Sequence, residues 1–291
     1  MKEFPMKIKV SEIFYSAQGE GRFVGVPSVF LRTFGCNFTC GGFGMSRGEV
    51  STERDDVDPK KYSKFEDLPL VSTGCDSYAS WDPRFKRFSP SLETGEVVDR
   101  MLALTPNGAW QQTNGNRVHL VITGGEPLLG WQRVYPEILR HDCMADLRDL
   151  TFETNGTQAL TPQFEDYLMQ WQMPDLTGPR EITFSVSAKL PVSGEKWEDA
   201  IRPQVVVDYE RIGHTYLKFV VERVEDFDHV GRAVSEYREA GFQGSVYVMP
   251  VGGVVAVYDG NRINVADEAI KRGYYYSPRI HIDIWGNAWS K

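Results

Sequence analysis

Short apolar runs alternate with amphipathic stretches along this chain. Ser28–Phe34 (SVFLRTF), Arg117–Thr123 (RVHLVIT), Leu150–Thr154 (LTFET), Glu181–Ser187 (EITFSVS), Thr215–Val221 (TYLKFVV) and Ser245–Pro250 (SVYVMP) read as strands. Arg279–Trp285 (RIHIDIW) reads as a last strand with strict alternation. Helices fit Leu92–Leu104, with Ser91 as N-cap, and Trp131–His141, Gln163–Trp171 and Asp226–Ala240. Residues 41–90 break the pattern with Gly41-Gly42, a charged run at Glu53, Arg54, Asp55, Asp56 and Asp58, and several prolines. They read as an insertion with little regular structure.

Repeated strand–helix units predict an α/β fold: a mostly parallel sheet with helices outside it. About six such strands suggest an open, partial barrel of TIM type. No linker interrupts the pattern, so residues 1–291 read as a single domain with an insertion at about 41–74. In parallel α/β folds function sits on the loops after the strands' C-terminal ends. Cys36, Gly124-Gly125-Glu126-Pro127, Asn155-Gly156, Ser187-Ala188-Lys189 and Met249-Pro250 all fall there, so one face is expected to carry one site.

Composition narrows the class. A net charge of −8 disfavours general nucleic-acid binding, which needs a basic surface, and points to a small substrate. No run of apolar residues is long enough to span a membrane, and Met1–Val10 has no signal-peptide core, so the cytoplasm is the expected compartment. There the four cysteines are not expected to form a disulfide framework.

Cys36-Asn37-Phe38-Thr39-Cys40 places two thiols on a loop just past a strand. Soft thiolates favour an iron–sulfur cluster or zinc, and two unrelated buried cysteines are the plainer alternative. A third ligand has two candidates. Cys75 lies in a polar, turn-like setting (Thr73-Gly74-Cys75-Asp76-Ser77), while Cys143, near the end of an amphipathic helix, reads as a small core residue. Cys75 is the better candidate.

Four stretches together resemble the 7-carboxy-7-deazaguanine synthases, a branch of the radical S-adenosylmethionine (SAM) superfamily. They are Ile13–Cys40 (IFYSAQGEGRFVGVPSVFLRTFGCNFTC), Cys75-Asp76-Ser77, Ile122–Leu128 (ITGGEPL), and the weaker pair Ser187-Ala188-Lys189 and Arg279-Ile280-His281. The resemblance spans nearly the whole chain. It departs at the superfamily's C-x3-C-x2-C spacing, because Phe43 stands where the third cysteine is expected. It also departs at Ala188, where the family has proline.

The resemblance implies a radical-SAM partial barrel that makes 7-carboxy-7-deazaguanine from 6-carboxy-5,6,7,8-tetrahydropterin with loss of ammonia, in deazapurine (queuosine-type) biosynthesis. It implies a [4Fe-4S] cluster on Cys36, Cys40 and Cys75, SAM used catalytically, and Mg2+ with Ser77 as ligand. Gly124, Gly125, Glu126, Ser187, Lys189 and, weakly, Met249 and Pro250 match SAM-side positions. Ala17, Gln18, Gly19 and Glu20 match the substrate-reading stretch, with Thr123 and His281 beside the pterin. Arg32 matches the arginine that pairs with the substrate carboxylate, a role that suits a bidentate guanidinium. A homodimer and a flavodoxin- or ferredoxin-type electron donor are also implied. The alternatives are an activase that places a radical on a partner protein, and a non-catalytic zinc- or cluster-binding interaction protein.

Overall fold

The computed structural model describes residues 6–175 and 178–291. Its strands are β1 (Lys7–Ala17), β2 (Pro27–Thr33), β3 (Ser91–Glu93), β4 (His119–Gly124), β5 (Asp149–Thr154), β6 (Glu181–Val186), β7 (His214–Val221), β8 (Val246–Pro250) and β9 (Tyr275–Tyr276). The helices are α1 (Thr94–Leu104), α2 (Tyr135–Leu139), α3 (Pro162–Trp171), α4 (Trp197–Ala200), α5 (Pro203–Ile212), α6 (Asp226–Glu239), α7 (Val255–Lys271) and α8 (Ile280–Trp285). The strands form one sheet in the order β3-β1-β2-β4-β5-β6-β7-β8-β9. β1 runs antiparallel to both β2 and β3, and every later pairing is parallel. The sheet has two edges and does not close, as expected for a partial barrel.

Strand alternation separates two environments. Val29, Leu31, Leu120, Ile122, Leu150, Phe152, Ile182, Phe184, Leu217 and Phe219 join the main core under the helices. Phe152 and Phe184 stack with centroids 5.6 Å apart, and Tyr209 of α5 stacks on Phe184 at 4.5 Å. The residues between them face the other side of the sheet: Arg32, Thr123, Glu153, Ser185 and Lys218. Charged groups in strands that are otherwise apolar mark that side as the working face, because such strands are normally hydrophobic on both faces.

Between β2 and β3 the chain makes only short 3-10 turns, such as Glu53–Asp56 and Pro83–Phe88, around a satellite core of Val57, Phe65, Leu68, Val71, Tyr78 and Phe85. Trp289, near the chain end, packs edge-on against Phe65 and Tyr78 and donates Nε1–H to the Leu68 carbonyl at 2.8 Å. The last residues therefore lie against this segment. Among the described residues no helix is long and apolar enough to cross a membrane.

Several expectations need correction. Ile280–Trp285 is helix α8, with Arg279 just ahead of it, and not a strand. The place beside β8 is taken by β9, and Gly286 in the left-handed region ends the helix with a bond from its N–H to the Ile282 carbonyl at 2.9 Å. The expected helix at 131–141 shrinks to α2, with Pro136 in its first turn. Leu92 belongs to β3, so α1 starts later than the hydrophobic pattern suggests and Ser91 does not cap it. β1, α5 and α7 lie outside the expected elements. Cys143 is exposed in a short turn ahead of β5, at the strands' N-terminal end, and is not a core residue.

The helical assignment of α8 separates two isoleucines that an alternating strand would place on one face. Ile282 is buried, whereas Ile284 is 60% exposed. Ile282→Ala is expected to cost about 2–4 kcal/mol and Ile284→Ala less than about 0.5 kcal/mol in denaturant unfolding. Equal costs would contradict the helix.

Candidate active site

At the C-terminal ends of the parallel strands lies a cavity of about 260 Å3. It is lined by Cys36, Cys40, Cys75, Ser77, Gly124, Gly125, Ser187, Lys189 and Met249. Ala17, Gln18, Gly19, Glu20, Arg32, Thr123 and His281 line it as well. All the residues singled out from the sequence are there except Glu126 and Pro250.

Cys36 and Cys40 follow β2 on one loop, and Cys75 returns beside them from the segment before β3; Cys36 and Cys75 pack against the Phe38–Cys40 cluster. Burial pushes the Cys36 thiol up to about 12, and it raises Cys40 and Cys75 as well. As free groups they are protonated at neutral pH, so ionising them together requires a cationic partner. Lys189 lies near enough to favour the thiolates of all three, and its Nζ donates to Ser187 Oγ at 3.0 Å. Three soft ligands on one wall fit an iron–sulfur cluster. Among the described residues no three potential ligands converge on a point that would suit a single ion.

The Gly124-Gly125-Glu126 turn packs directly on the cysteine loop. A Cβ on Gly125 would stand 2.4 Å from the Gly35 oxygen and 2.6 Å from Cys36 Cβ, so only glycine fits. The Glu126 amide donates to the Gly35 carbonyl at 2.8 Å. Its side chain turns away from the cavity and accepts from Leu128 N, Thr154 Oγ1 and Asn155 N at 3.0, 2.8 and 2.7 Å. Burial raises this carboxyl to about 6. Glu126 therefore ties the turn to β5, and the turn's backbone is left to face a ligand. Pro250 lies at the buried end of β8 beside Val221, off the cavity wall, while its neighbour Met249 lines it.

A further part of the lining is a network of buried charges. Lys218 Nζ donates to Glu20 Oε2 and Glu153 Oε2, both at 2.8 Å. Arg279 Nε donates to Glu20 Oε1 at 2.9 Å and its Nη2 to Asp76 Oδ2 at 2.7 Å; its Nη1 donates to the Gly252 carbonyl. Gln18 Nε2 donates to Glu153 Oε1 at 3.1 Å. Burial alone would raise the Glu20 carboxyl, but Lys218 and Arg279 hold it well below the carboxylate range. The two carboxylates in turn hold the Lys218 ammonium charged despite its burial. Asp76, next to Cys75, is committed to Arg279.

Arg32 is held from behind: its Nε donates to the buried Glu12 at 2.8 Å, and Ser290 Oγ donates to the other Glu12 oxygen at 2.9 Å. Arg32 Nη1 donates to Ser77 Oγ at 3.4 Å, which brings these two residues together. His281 sits on α8 against Gly19, where a Cβ would stand 2.0 Å from its Nδ1. Burial, with Arg279 beside it, lowers the His281 imidazole to about 4, so it is neutral at pH 7.

Glu12, Glu153, Lys218 and Arg279 were missed as site residues. For Glu153 and Lys218 the available signal was a charge inside an apolar strand. Glu12 borders, and Arg279 opens, a stretch already quoted for the family.

No model of a known protein family matches the chain. It is 30% identical to the 7-carboxy-7-deazaguanine synthase of Halobacterium salinarum over 97% of this chain and 91% of that protein. It is 29% identical to the enzyme of the same name from Pyrobaculum aerophilum over 98% of each. The crystal structure of QueE from Escherichia coli superposes with a TM-score of 0.52 at 16% identity, covering 94% of this chain and 93% of that one, which supports the fold.

The depressed His281 value makes a stability prediction. A folded-state value below the ordinary 6.5 contributes stability that is complete above pH 6.5 and lost as pH falls towards 4. In the metal-free protein, His281→Gln should flatten the acid-side loss between those limits by about 3 kcal/mol relative to the parent, read by urea unfolding across pH. Parallel curves would mean that His281 is not held neutral.

Proposed function

The chain belongs to the 7-carboxy-7-deazaguanine synthase family, and from that premise we propose that it converts 6-carboxy-5,6,7,8-tetrahydropterin to 7-carboxy-7-deazaguanine with loss of ammonia. One observation supports the assignment most: a single cavity is lined both by the three cysteines with the Gly-Gly turn and by Arg32 with the Gln18–Glu20 stretch. Full-length relatives named as synthases favour this reading over an activase or a zinc-binding interaction protein.

In this reading Cys36, Cys40 and Cys75 hold a [4Fe-4S] cluster. Together with SAM, a bound cluster supplies the radical that removes a hydrogen from the substrate. The Gly124-Gly125 backbone accepts from the SAM ammonium, while Lys189 and Ser187 present a cation and a hydroxyl to its polar groups.

Arg32, pre-oriented by Glu12, binds the pterin carboxylate as a fork. Ser77 Oγ lies beside that guanidinium, so by itself it makes no cation site. With the substrate carboxylate added, it offers one hydroxyl ligand to Mg2+, which prefers oxygen donors and keeps several waters. Gln18, Glu20 and Glu153 read the donor-rich edge of the pterin, since a buried polar site rejects rings that lack the matching groups. Neutral His281 contributes a hydrogen bond without adding to the positive charge of Arg32, Lys218 and Arg279. Phe43 and Trp289, both on the cavity wall, help exclude water. A flavodoxin- or ferredoxin-type electron donor and a homodimer complete the proposal, on family grounds alone.

The test is anaerobic turnover after reconstitution with iron and sulfide, with reductant, SAM, Mg2+ and the carboxypterin, and mass spectrometry for the product. The parent should form carboxydeazaguanine. Arg32→Ala should raise KM by about 10–100-fold, the loss of a charge-assisted pair, while SAM cleavage persists. A loaded protein that cleaves SAM but makes no product would overturn the substrate. An unchanged KM in the variant would overturn the role of Arg32.

A further inference from the structure

Two carboxylates outside the cavity grip the backbone of the cysteine loops. On the first loop, Glu195 Oε1 accepts from Cys40 N at 2.7 Å, Thr39 N at 2.9 Å and Thr39 Oγ1 at 3.3 Å. Cys40 needs such a grip. Its φ is +48°, in the left-handed region that side-chain-bearing residues rarely adopt. The loop bearing Glu195 docks closely on this one: Gly42 N donates to the Ser193 carbonyl at 2.8 Å, and a Cβ on Gly42 would stand 2.5 Å from Gly194 N.

On the second loop, Glu53 accepts from Ser72 N, Ser72 Oγ, Thr73 N and Thr73 Oγ1, each at 2.9 Å. Ser51 and Thr73 hydroxyls meet at 2.6 Å. Gly74 N donates to the Phe43 carbonyl at 2.7 Å and Ser51 N to the Gly41 carbonyl at 2.8 Å. These bonds close the neck of the excursion between Gly41 and Gly74, so the chain returns with Cys75 beside Cys40 however long the excursion is. Trp81 Nε1 then donates to Cys75 Sγ at 3.3 Å.

We propose that Glu195 and Glu53 are positioning residues for the cluster: Glu195 sets the backbone of Cys40, and Glu53 sets the register of Cys75. Glu53 does in this chain what a two-residue spacing does where the third cysteine stands at the position of Phe43. The inference rests on Cys75 as the third ligand.

The test reads thiol accessibility in the metal-free protein, by timed alkylation and mass spectrometry, with exposed Cys143 as internal reference. Glu195→Ala should raise Cys40 labelling at least five-fold and leave Cys75 unchanged. Glu53→Ala should do the reverse. Glu195→Gln should stay near the parent, because one oxygen takes all three bonds; Glu53→Gln should be intermediate, because both oxygens are used. After reconstitution, iron and acid-labile sulfide should fall at least two-fold in both Ala variants. If an Ala variant unfolds, Glu195→Asp and Glu53→Asp, which keep the charge and shorten the arm, carry the same site-specific signature. Unchanged labelling with full iron and sulfide content would overturn the inference, as would a uniform rise at all cysteines in the Asp variants. Cys75→Ala runs alongside. If it keeps parental iron and sulfide, the third-ligand reading fails. If it loses them while Glu53→Ala shows no change in labelling or content, only the Glu53 inference fails.

Discussion

The Glu20 carboxylate is shared between Lys218 and Arg279, at 2.8 and 2.9 Å. Through those two cations it is joined to Glu153 on β5 and to Asp76 beside Cys75. The network connects the stretch after β1, two central strands, the cysteine-bearing segment and the start of α8. The sheet is open at both edges, so backbone pairing alone does not join its first elements to its last. Burying so many charges is tolerable only when each is paired and hydrogen-bonded, and removing one partner leaves the others uncompensated. The cavity wall is therefore cooperative: Lys218 keeps Glu20 ionised and pairs with Glu153, and Arg279 keeps Asp76 in place.

A second constraint acts on the cysteines. In the proposed reading, three thiols that burial keeps protonated become thiolates together. The fold arranges for this by rigid backbone more than by charge. The Gly-Gly turn rests on the Cys36 loop, Glu126 anchors that turn to β5, and Lys189 brings a positive charge near the sulfurs. The two groups differ in kind, one of soft sulfur, the other of paired charges. Both line one cavity of about 260 Å3. A radical reaction needs that closeness, since effective concentration within a shared site replaces a bimolecular encounter.

Much of this was legible in the sequence because strand period and loop position are local properties. The strands from β4 to β8 show as apolar runs, and the residues after them fall on one face as the topology requires. Cys36 and Gly124-Gly125 were readable from their place just past strands, and Arg32 only from the family resemblance. What escaped depends on tertiary context. RIHIDIW alternates like a strand, but β9 already borders β8, so it winds into α8 and carries His281 to Gly19. Cys143 looked like a core residue and is exposed, because its helix ends early. Glu195 lies far from Cys40 in sequence, and nothing in the order of residues shows the two loops meeting. Lys218 reads as a lone charge in TYLKFVV until Glu20 and Glu153 appear around it.

The central claim is that the cysteine wall and the substrate-reading wall serve one reaction in one cavity, so hydrogen passes directly between substrate and cofactor. The most direct measurement is isotope tracing. Turn over the reconstituted enzyme anaerobically with carboxypterin deuterated at C6 and recover the SAM for mass spectrometry. The account predicts carboxydeazaguanine as product, with deuterium appearing in the recovered SAM. Product formed with unlabelled SAM, or with SAM consumed mole for mole, would contradict it.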